Sequence, residues 1–285
     1  MPRFAYVDGR FVRHRDGAVH IEDRGLQFGD AVYEVWAVRN NIIFDMAGHL
    51  ARLARSLAAL SIAAPLKDTS LTMIIKELMT RNKLRNGLVY LQISRGVARR
   101  DHSFPVRATP SIILTARLLD MRAGDMKAQF GIAVQSQADT RWGRVDIKTI
   151  NLLPNVLAKQ SALEAGYGDA WFYDTDGFVT EGTAQNAWIV DSEGILRTRP
   201  SGHDILRGIT RDAIIDTAHA LGYLLDQRAF TLGEAKAARE AFITSATSFV
   251  TPVVSIDGIT IGNGVPGPIA KTLRARYLSE QNSVI

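Results

Sequence analysis

Residues 141–159 read RWGRVDIKTINLLPNVLAK. An apolar, strand-like run, VDIKTI, carries a lysine at position 148 and leads into a helix predicted from Pro154 to Ala165. Pro154 suits the first turn of that helix, where a missing N–H costs nothing. Upstream lies a strand-like run from Phe130 to Gln135, and downstream are strands around Trp171 and Ala187. A helix from about Arg211 to Leu221 follows and ends at Gly222, a residue type favoured just past a helix C-terminus. A strand at Ala241–Thr244 and a last helix from Pro268 to about Leu278 complete this half. The strands cluster without strict strand–helix alternation, so the pattern predicts an α+β fold rather than a doubly wound sheet.

The N-terminal half is also mixed. Phe4, Tyr6 and Phe11 alternate around Asp8-Gly9, a hairpin signal. Val32 to Val38 reads as a strand, and Asn40-Asn41 turns it back into Ile42-Ile43-Phe44. Leu50, Leu53, Leu57 and Leu60 recur at helical spacing in HLARLARSLAAL until Pro65. A second helix starts near Ser70, with Leu71, Ile74, Ile75 and Leu78 on one face. Strands follow at Leu88–Ser94 and Ser111–Leu118. The pattern fades in LDMRAGDMK, so two domains are expected: a small one over 1–119, a linker over 120–127, and a larger one over 128–285 carrying Lys148.

The chain has 285 residues, 46% hydrophobic and 22% charged, as in ordinary globular proteins. It has no cysteine, which excludes disulfides, thiolate metal sites and a cysteine nucleophile. The net charge of +5 comes from 34 basic and 29 acidic residues spread along the sequence. Only short runs such as Arg95–Arg100 are densely basic, so nucleic acid is not expected as a partner. No apolar run approaches the roughly 20 residues needed to span a bilayer, and no signal-peptide block opens the chain. A cytoplasmic protein is expected. The six histidines show no metal-binding spacing, so no metal is predicted. No GxSxG elbow occurs, no GxGxxG follows a strand and opens a helix, and no GxxxxGK(S/T) is present, so nucleophile-elbow, dinucleotide and P-loop readings lack support.

What remains is chemistry of Lys, Arg, Glu and Thr. A lysine in a half-buried strand would lose water and become a competent amine nucleophile toward an aldehyde; an edge-strand lysine pointing to solvent is the other reading of Lys148. In FVTEGTAQNAWIV, Glu181 precedes a glycine and small polar residues, where backbone can approach a ligand closely. In LRGITRD a glycine turn enters a helix, whose free N–H groups suit a phosphate. Taken singly, such turns are usually structural.

The order DIKxxNLL, TEGTAQN, LRGITRD, ITSAT resembles the class IV (fold type IV) pyridoxal-phosphate aminotransferases. The similarity extends from YVDGRF through DRGLQFGDAVYEV to TSFVTPVVSIDG. It departs at Trp188, where the family expects Phe or Tyr. The resemblance implies the two-domain α+β fold of that family, with pyridoxal 5'-phosphate as cofactor. It implies that Lys148 carries the cofactor and moves the substrate proton, and that Glu181 partners the ring nitrogen. It further implies phosphate binding by Ile209 and Thr210, by Ser245, Ala246 (through its backbone N–H) and Thr247, and by Arg52 as a charged clamp.

The branch resembled is the D-amino acid (D-alanine, D-glutamate) one, which exchanges amino groups with pyruvate or 2-oxoglutarate in ping-pong fashion. There an Arg-x-His pair from the neighbouring subunit grips the α-carboxylate with a tyrosine. Arg100, His102 and Tyr33 are the implied set, and a homodimer follows. From composition alone, Arg100 and His102 would be an exposed charged loop. Related readings are a branched-chain L-amino acid transaminase, an (R)-selective amine transaminase and an aminodeoxychorismate lyase, all of the same fold.

Overall fold

The computed structural model describes residues 3–282. The chain divides into two compact units, one running to Met121 with Ile147–Asn151 added, the other comprising Arg122–Asp146 and the chain from Leu152 onward.

The first unit contains β1 (Phe4–Val7), β2 (Arg10–Arg13), α1 (Arg24–Phe28), β3 (Ala31–Arg39), β4 (Ile42–Ile43), α2 (Met46–Ala59), α3 (Asp68–Asn82), β5 (Gly87–Ser94) and β6 (Ser111–Leu118). Its six-stranded sheet has the order β2-β1-β6-β5-β3-β4, and every pairing is antiparallel. The predicted hairpin forms: Asp8 and Gly9 take φ of 43° and 89°, the left-handed pair that a two-residue turn of matching twist demands. The leucine spacing in α2 is realised as Leu50, Leu53 and Leu57 buried in one cluster with Leu71, Ile75 and Leu78 of α3 and with Val32, Val89 and Leu91 of the sheet. Apolar burial of this kind is the main stabilising contribution of the unit.

The second unit contains α4 (Met121–Phe130), β7 (Ile132–Ala138), α5 (Leu153–Glu164), β8 (Asp169–Tyr173), β9 (Val179–Gly182), β10 (Asn186–Val190), β11 (Leu196–Thr198), α6 (Ile209–Ala220), β12 (Leu225–Asp226), α7 (Leu232–Lys236), β13 (Glu240–Ser245), β14 (Phe249–Ile256), β15 (Ile259–Thr260) and α8 (Pro268–Asn282). Its sheet runs β12-β11-β10-β13-β14-β7-β8-β9, with β15 on β14. The sheet is mixed: β11–β12, β14–β7 and β7–β8 are parallel. Trp171, Ile189, Ile243, Val253 and Phe230 fill the core on one of its faces. Among the described residues, no helix is long and apolar enough to cross a membrane.

Two expectations need correction. Residues 120–127, expected as a linker, are mostly helix α4. Helix-favouring Met, Arg, Ala and Lys dominate it, while only Ala128 is buried, so its apolar periodicity is too weak to read. Lys148 does not lie in a strand. Thr149 makes an isolated bridge to Val32, and the segment groups with the first unit, where Tyr33 N–H donates to the Lys148 carbonyl at 3.0 Å.

Candidate active site

The candidate residues fall into two groups, one in each unit. In the first unit, alternation along β3 sends neighbouring side chains to opposite faces. Tyr33 lies beside Lys148, whose Nζ stands 4.1 Å from the ring centroid. Tyr33 also stacks on Tyr90 at 5.8 Å. The backbone of Lys148 is fixed on both sides: its N–H donates to Ser56 Oγ at 3.3 Å, and its carbonyl accepts from Tyr33. The amine itself has no ion-pair partner among the described residues. Burial pushes the Tyr90 hydroxyl up to about 12, with the charge of Tyr33 adding to it.

Glu34, on the opposite face of β3, is fully buried and receives Arg52 from α2. Arg52 Nε and Nη2 donate to its two oxygens, each at 2.7 Å. His49 Nδ1 lies 2.7 Å from Glu34 Oε2. Burial opposes the charge on Glu34, but the charge and hydrogen bonds of Arg52, with those of His49, hold its carboxyl at about 2. The paired edge of the predicted clamp, Arg52, is therefore held by Glu34, which fixes how the guanidinium is presented.

Arg100 and His102 come together on Phe28. The Arg100 guanidinium carbon lies 4.7 Å from the Phe28 centroid, and the two rings of Phe28 and His102 are 5.5 Å apart. Arg100 makes no ion pair among the described residues. Beneath it, Asp30 binds two buried arginines: Arg24 Nε at 2.8 Å and Arg95 Nε and Nη2 at 2.7 and 3.0 Å. Burial works against the Asp30 carboxylate, but these hydrogen bonds and charges outweigh it and hold its pKa below the ordinary value. Within one chain no described hydrogen bond joins Tyr33 to Arg100 or His102.

In the second unit Glu181 is buried on β9 and held by hydrogen-bond donors at both oxygens. Arg141 Nη1 donates to Oε1. Asn186 Nδ2 and the Leu206 N–H both donate to Oε2, each at 3.1 Å. Arg141 uses its other edge on Asp139, through Nε at 2.9 Å and Nη2 at 2.6 Å. Burial disfavours the Arg141 charge, yet the hydrogen bond to Asp139 and the charges of Glu181 and Asp139 raise its pKa above normal. Asn186 Nδ2 also donates to the Leu206 carbonyl at 2.8 Å, which ties the glutamate to the turn before α6. In that turn a Cβ on Gly208 would sit 2.0 Å from Asn186 Oδ1, so any side chain there would displace the Asn186 amide.

Helix α6 begins at Ile209 without a side-chain cap, leaving first-turn N–H groups for an outside acceptor. The Thr210 hydroxyl is buried and has no hydrogen-bond partner among the described residues. Buried hydroxyls are rarely left so. This orphaned donor at a helix start fits a phosphate group. Trp188, the departure from the family pattern, donates from Nε1 to Thr244 Oγ1 at 3.0 Å and stacks on Phe242 at 5.3 Å, so the larger ring is accommodated.

After Thr244 the chain turns through Ser245, Ala246 and Thr247. The Ser245 hydroxyl is committed within the turn: it accepts from Ser248 N–H at 3.1 Å and lies 2.6 Å from Ser248 Oγ. Thr247 is exposed. The turn closes on Phe249, whose φ of 57° is costly for a bulky side chain. Arg274 of α8 stabilises it, donating from Nη1 to the carbonyls of Ser248 and Val250 at 2.8 and 2.9 Å.

Sequence reading missed Arg141, Asn186 as a ligand of Glu181, and the Arg24–Phe28–Asp30 bed. The Asp139-x-Arg141 spacing and the DRGLQFGD run were the available signals.

The family model for class IV amino-transferases matches residues 31–256. A D-alanine aminotransferase of Bacillus licheniformis is 40% identical over 278 residues, covering 98% of this chain and 96% of the relative. One from Listeria innocua is 36% identical, covering 96% and 94%. The branched-chain aminotransferase of the thermophilic archaeon Thermoproteus uzoniensis, solved with norvaline, superposes with a TM-score of 0.84 at 26% identity, covering 99% of this chain and 95% of that one.

Proposed function

The chain belongs to the class IV amino-transferases, and from that premise we propose that it moves the amino group of a D-amino acid, of the D-alanine or D-glutamate type, to a 2-oxo acid such as pyruvate or 2-oxoglutarate. The observation that carries this reading is Arg100, without an ion pair and aligned with His102 on Phe28, in a chain whose relatives at 40% and 36% identity are D-alanine aminotransferases. Arginine offers a fixed fork to a carboxylate, and histidine adds a further donor.

The cofactor is pyridoxal 5'-phosphate, which when bound supplies an aldehyde for amine chemistry and an electron-accepting ring. Lys148 is the residue that carries it, and its amine then moves the proton at the substrate Cα. Glu181, held by Arg141, Asn186 and Leu206, stays a carboxylate and so favours a protonated ring nitrogen. Ile209 and Thr210 offer the phosphate their backbone N–H groups, and Thr210 adds its unused hydroxyl. Ser245, the Ala246 N–H and Thr247 line the neighbouring turn of the same unit, and Arg52 lends charge.

Tyr33 completes the carboxylate set. Because it lies on Lys148 while Arg100 and His102 lie on Phe28, the pair is supplied by a second copy of the chain. A homodimer is supported by Leu153, Val156 and Leu157, which stand exposed on α5; exposed apolar patches of this kind mark interfaces. The working compartment is the cytoplasm.

The test is a half-reaction followed through the absorbance of the bound cofactor. D-alanine should change it and release pyruvate, whereas L-leucine should not. The reverse result would favour the branched-chain reading, which the Thermoproteus uzoniensis enzyme represents.

A further inference from the structure

Residues 95–110 join β5 to β6 and carry Arg100 and His102, and the 23–30 segment holds this loop, with Arg24 and Phe28 meeting its stretch from Arg100 to Ser103. Arg24, buried at the start of α1, is neutralised by Asp30 and donates from Nη1 to the carbonyl of Asp101 at 2.7 Å and of Ser103 at 3.3 Å. Those two residues flank His102. Backbone bonds continue the attachment: Arg24 N–H donates to the Gly96 carbonyl at 3.0 Å, and Ala98 N–H to that of Glu22 at 3.3 Å. Phe28, at the other end of α1, meets three groups with one ring. Arg24 lies 4.8 Å from its centroid and Arg100 4.7 Å, with His102 5.5 Å away.

We propose that Arg24 and Phe28 are positioning residues for the substrate carboxylate: Arg24 fixes the backbone on both sides of His102, and Phe28 fixes the Arg100 and His102 side chains. The inference rests on reading Arg100 and His102 as the carboxylate pair. Arg100 has no carboxylate partner to orient it, and an arginine free in solvent loses much rotamer freedom when a ligand immobilises it. The ring of Phe28 attracts guanidinium through its π face, so the side chain is ordered before the ligand arrives. Arg24 spans Asp30 and two carbonyls with one planar fork, which the single ammonium of lysine cannot reproduce.

The experiment compares Phe28→Leu, Phe28→Tyr, Arg24→Lys and Arg100→Ala as holoenzymes. It measures kcat and KM for D-alanine, and the inhibition constant of propionate, a carboxylate without an amine. Phe28→Leu should raise KM and the propionate constant by about five- to tenfold, with kcat within about twofold and the cofactor absorbance unchanged. Phe28→Tyr should restore both, and Arg24→Lys should move them the same way as Phe28→Leu. In an Arg100→Ala background, Phe28→Leu should add less than about twofold, because the ring has lost its main partner. An unchanged KM in Phe28→Leu, or factors that multiply in the double variant, would overturn the positioning role while Arg100→Ala alone still raises KM. If Arg100→Ala itself leaves KM and the propionate constant unchanged, the carboxylate reading falls, and this inference falls with it.

Discussion

Arg141 joins Glu181 to Asp139: one buried guanidinium, in the second unit, donates to two carboxylates through its two edges. Glu181, proposed above as the partner of the ring nitrogen, is thus held by a cation that is itself fixed from behind by Asp139. Removing either partner of such a buried pair leaves a charge without compensation, which is costlier than never having buried the pair.

Arg141→Met should lower the thermal midpoint by several degrees and weaken cofactor retention. Uncompensated buried charge costs about 3–5 kcal/mol, enough to be read in a thermal scan of holoenzyme. A midpoint equal to that of the parent would show that Asp139 and Glu181 do not depend on this arginine.

For Glu181→Gln the loss should fall on kcat, by about a hundredfold or more, with D-alanine KM changed by less than about threefold. A neutral amide favours the charged ring nitrogen less, so chemistry suffers while the carboxylate grip does not. A KM effect larger than the kcat effect would assign Glu181 to substrate binding.

Gly208→Ala is expected to loosen the cofactor. Its Cβ would meet Asn186 Oδ1 at 2.0 Å, so the amide must leave either Glu181 or the Leu206 carbonyl. Equilibrium dialysis of pyridoxal phosphate should show affinity down by about tenfold or more, for a strain of about 1–3 kcal/mol. Unaltered affinity would mean that the turn shifts without disturbing the glutamate.

Acid should unfold the chain partly through Glu34 and His49. The Glu34 carboxyl lies at about 2 against an ordinary 4.5, and burial lowers His49 below 6.5. A lowered pKa gives stability that is present above the unfolded value and lost as pH falls through the folded one. Both groups act in the same direction, so stability should decline below pH 6.5, with the Glu34 share, about 3 kcal/mol, going between pH 4.5 and 2. Glu34→Gln should flatten the lower part of the curve in a pH series of unfolding midpoints; parallel curves would exclude the triad as its source.

The elements legible in sequence were those with strong local chemistry. Asp8-Gly9 specifies its own turn, and the leucines of α2 specify a buried face. Helix α4 was invisible because a helix with one buried residue has no period to detect. Lys148 read as a strand because Val145, Ile147 and Ile150 surround it with apolar side chains, but the segment pairs with β3 through one bridge only. The roles proposed for Lys148 and Glu181 came from motif order. Their supports did not, because Arg141 reaches a residue forty positions away and Arg24 a loop nearly eighty away. Neither separation leaves a periodic trace.

Arg274 and the left-handed Phe249 link α8 to the turn at 245–248. Helix α8 carries no proposed site residue, yet its arginine bears on how that turn closes. On the phosphate-binding role proposed for that turn, selection in a cell where pyridoxal phosphate is scarce would act on α8 as well as on the site. A laboratory evolution experiment scored at limiting cofactor should recover substitutions there, while one scored at saturating cofactor should leave the helix untouched.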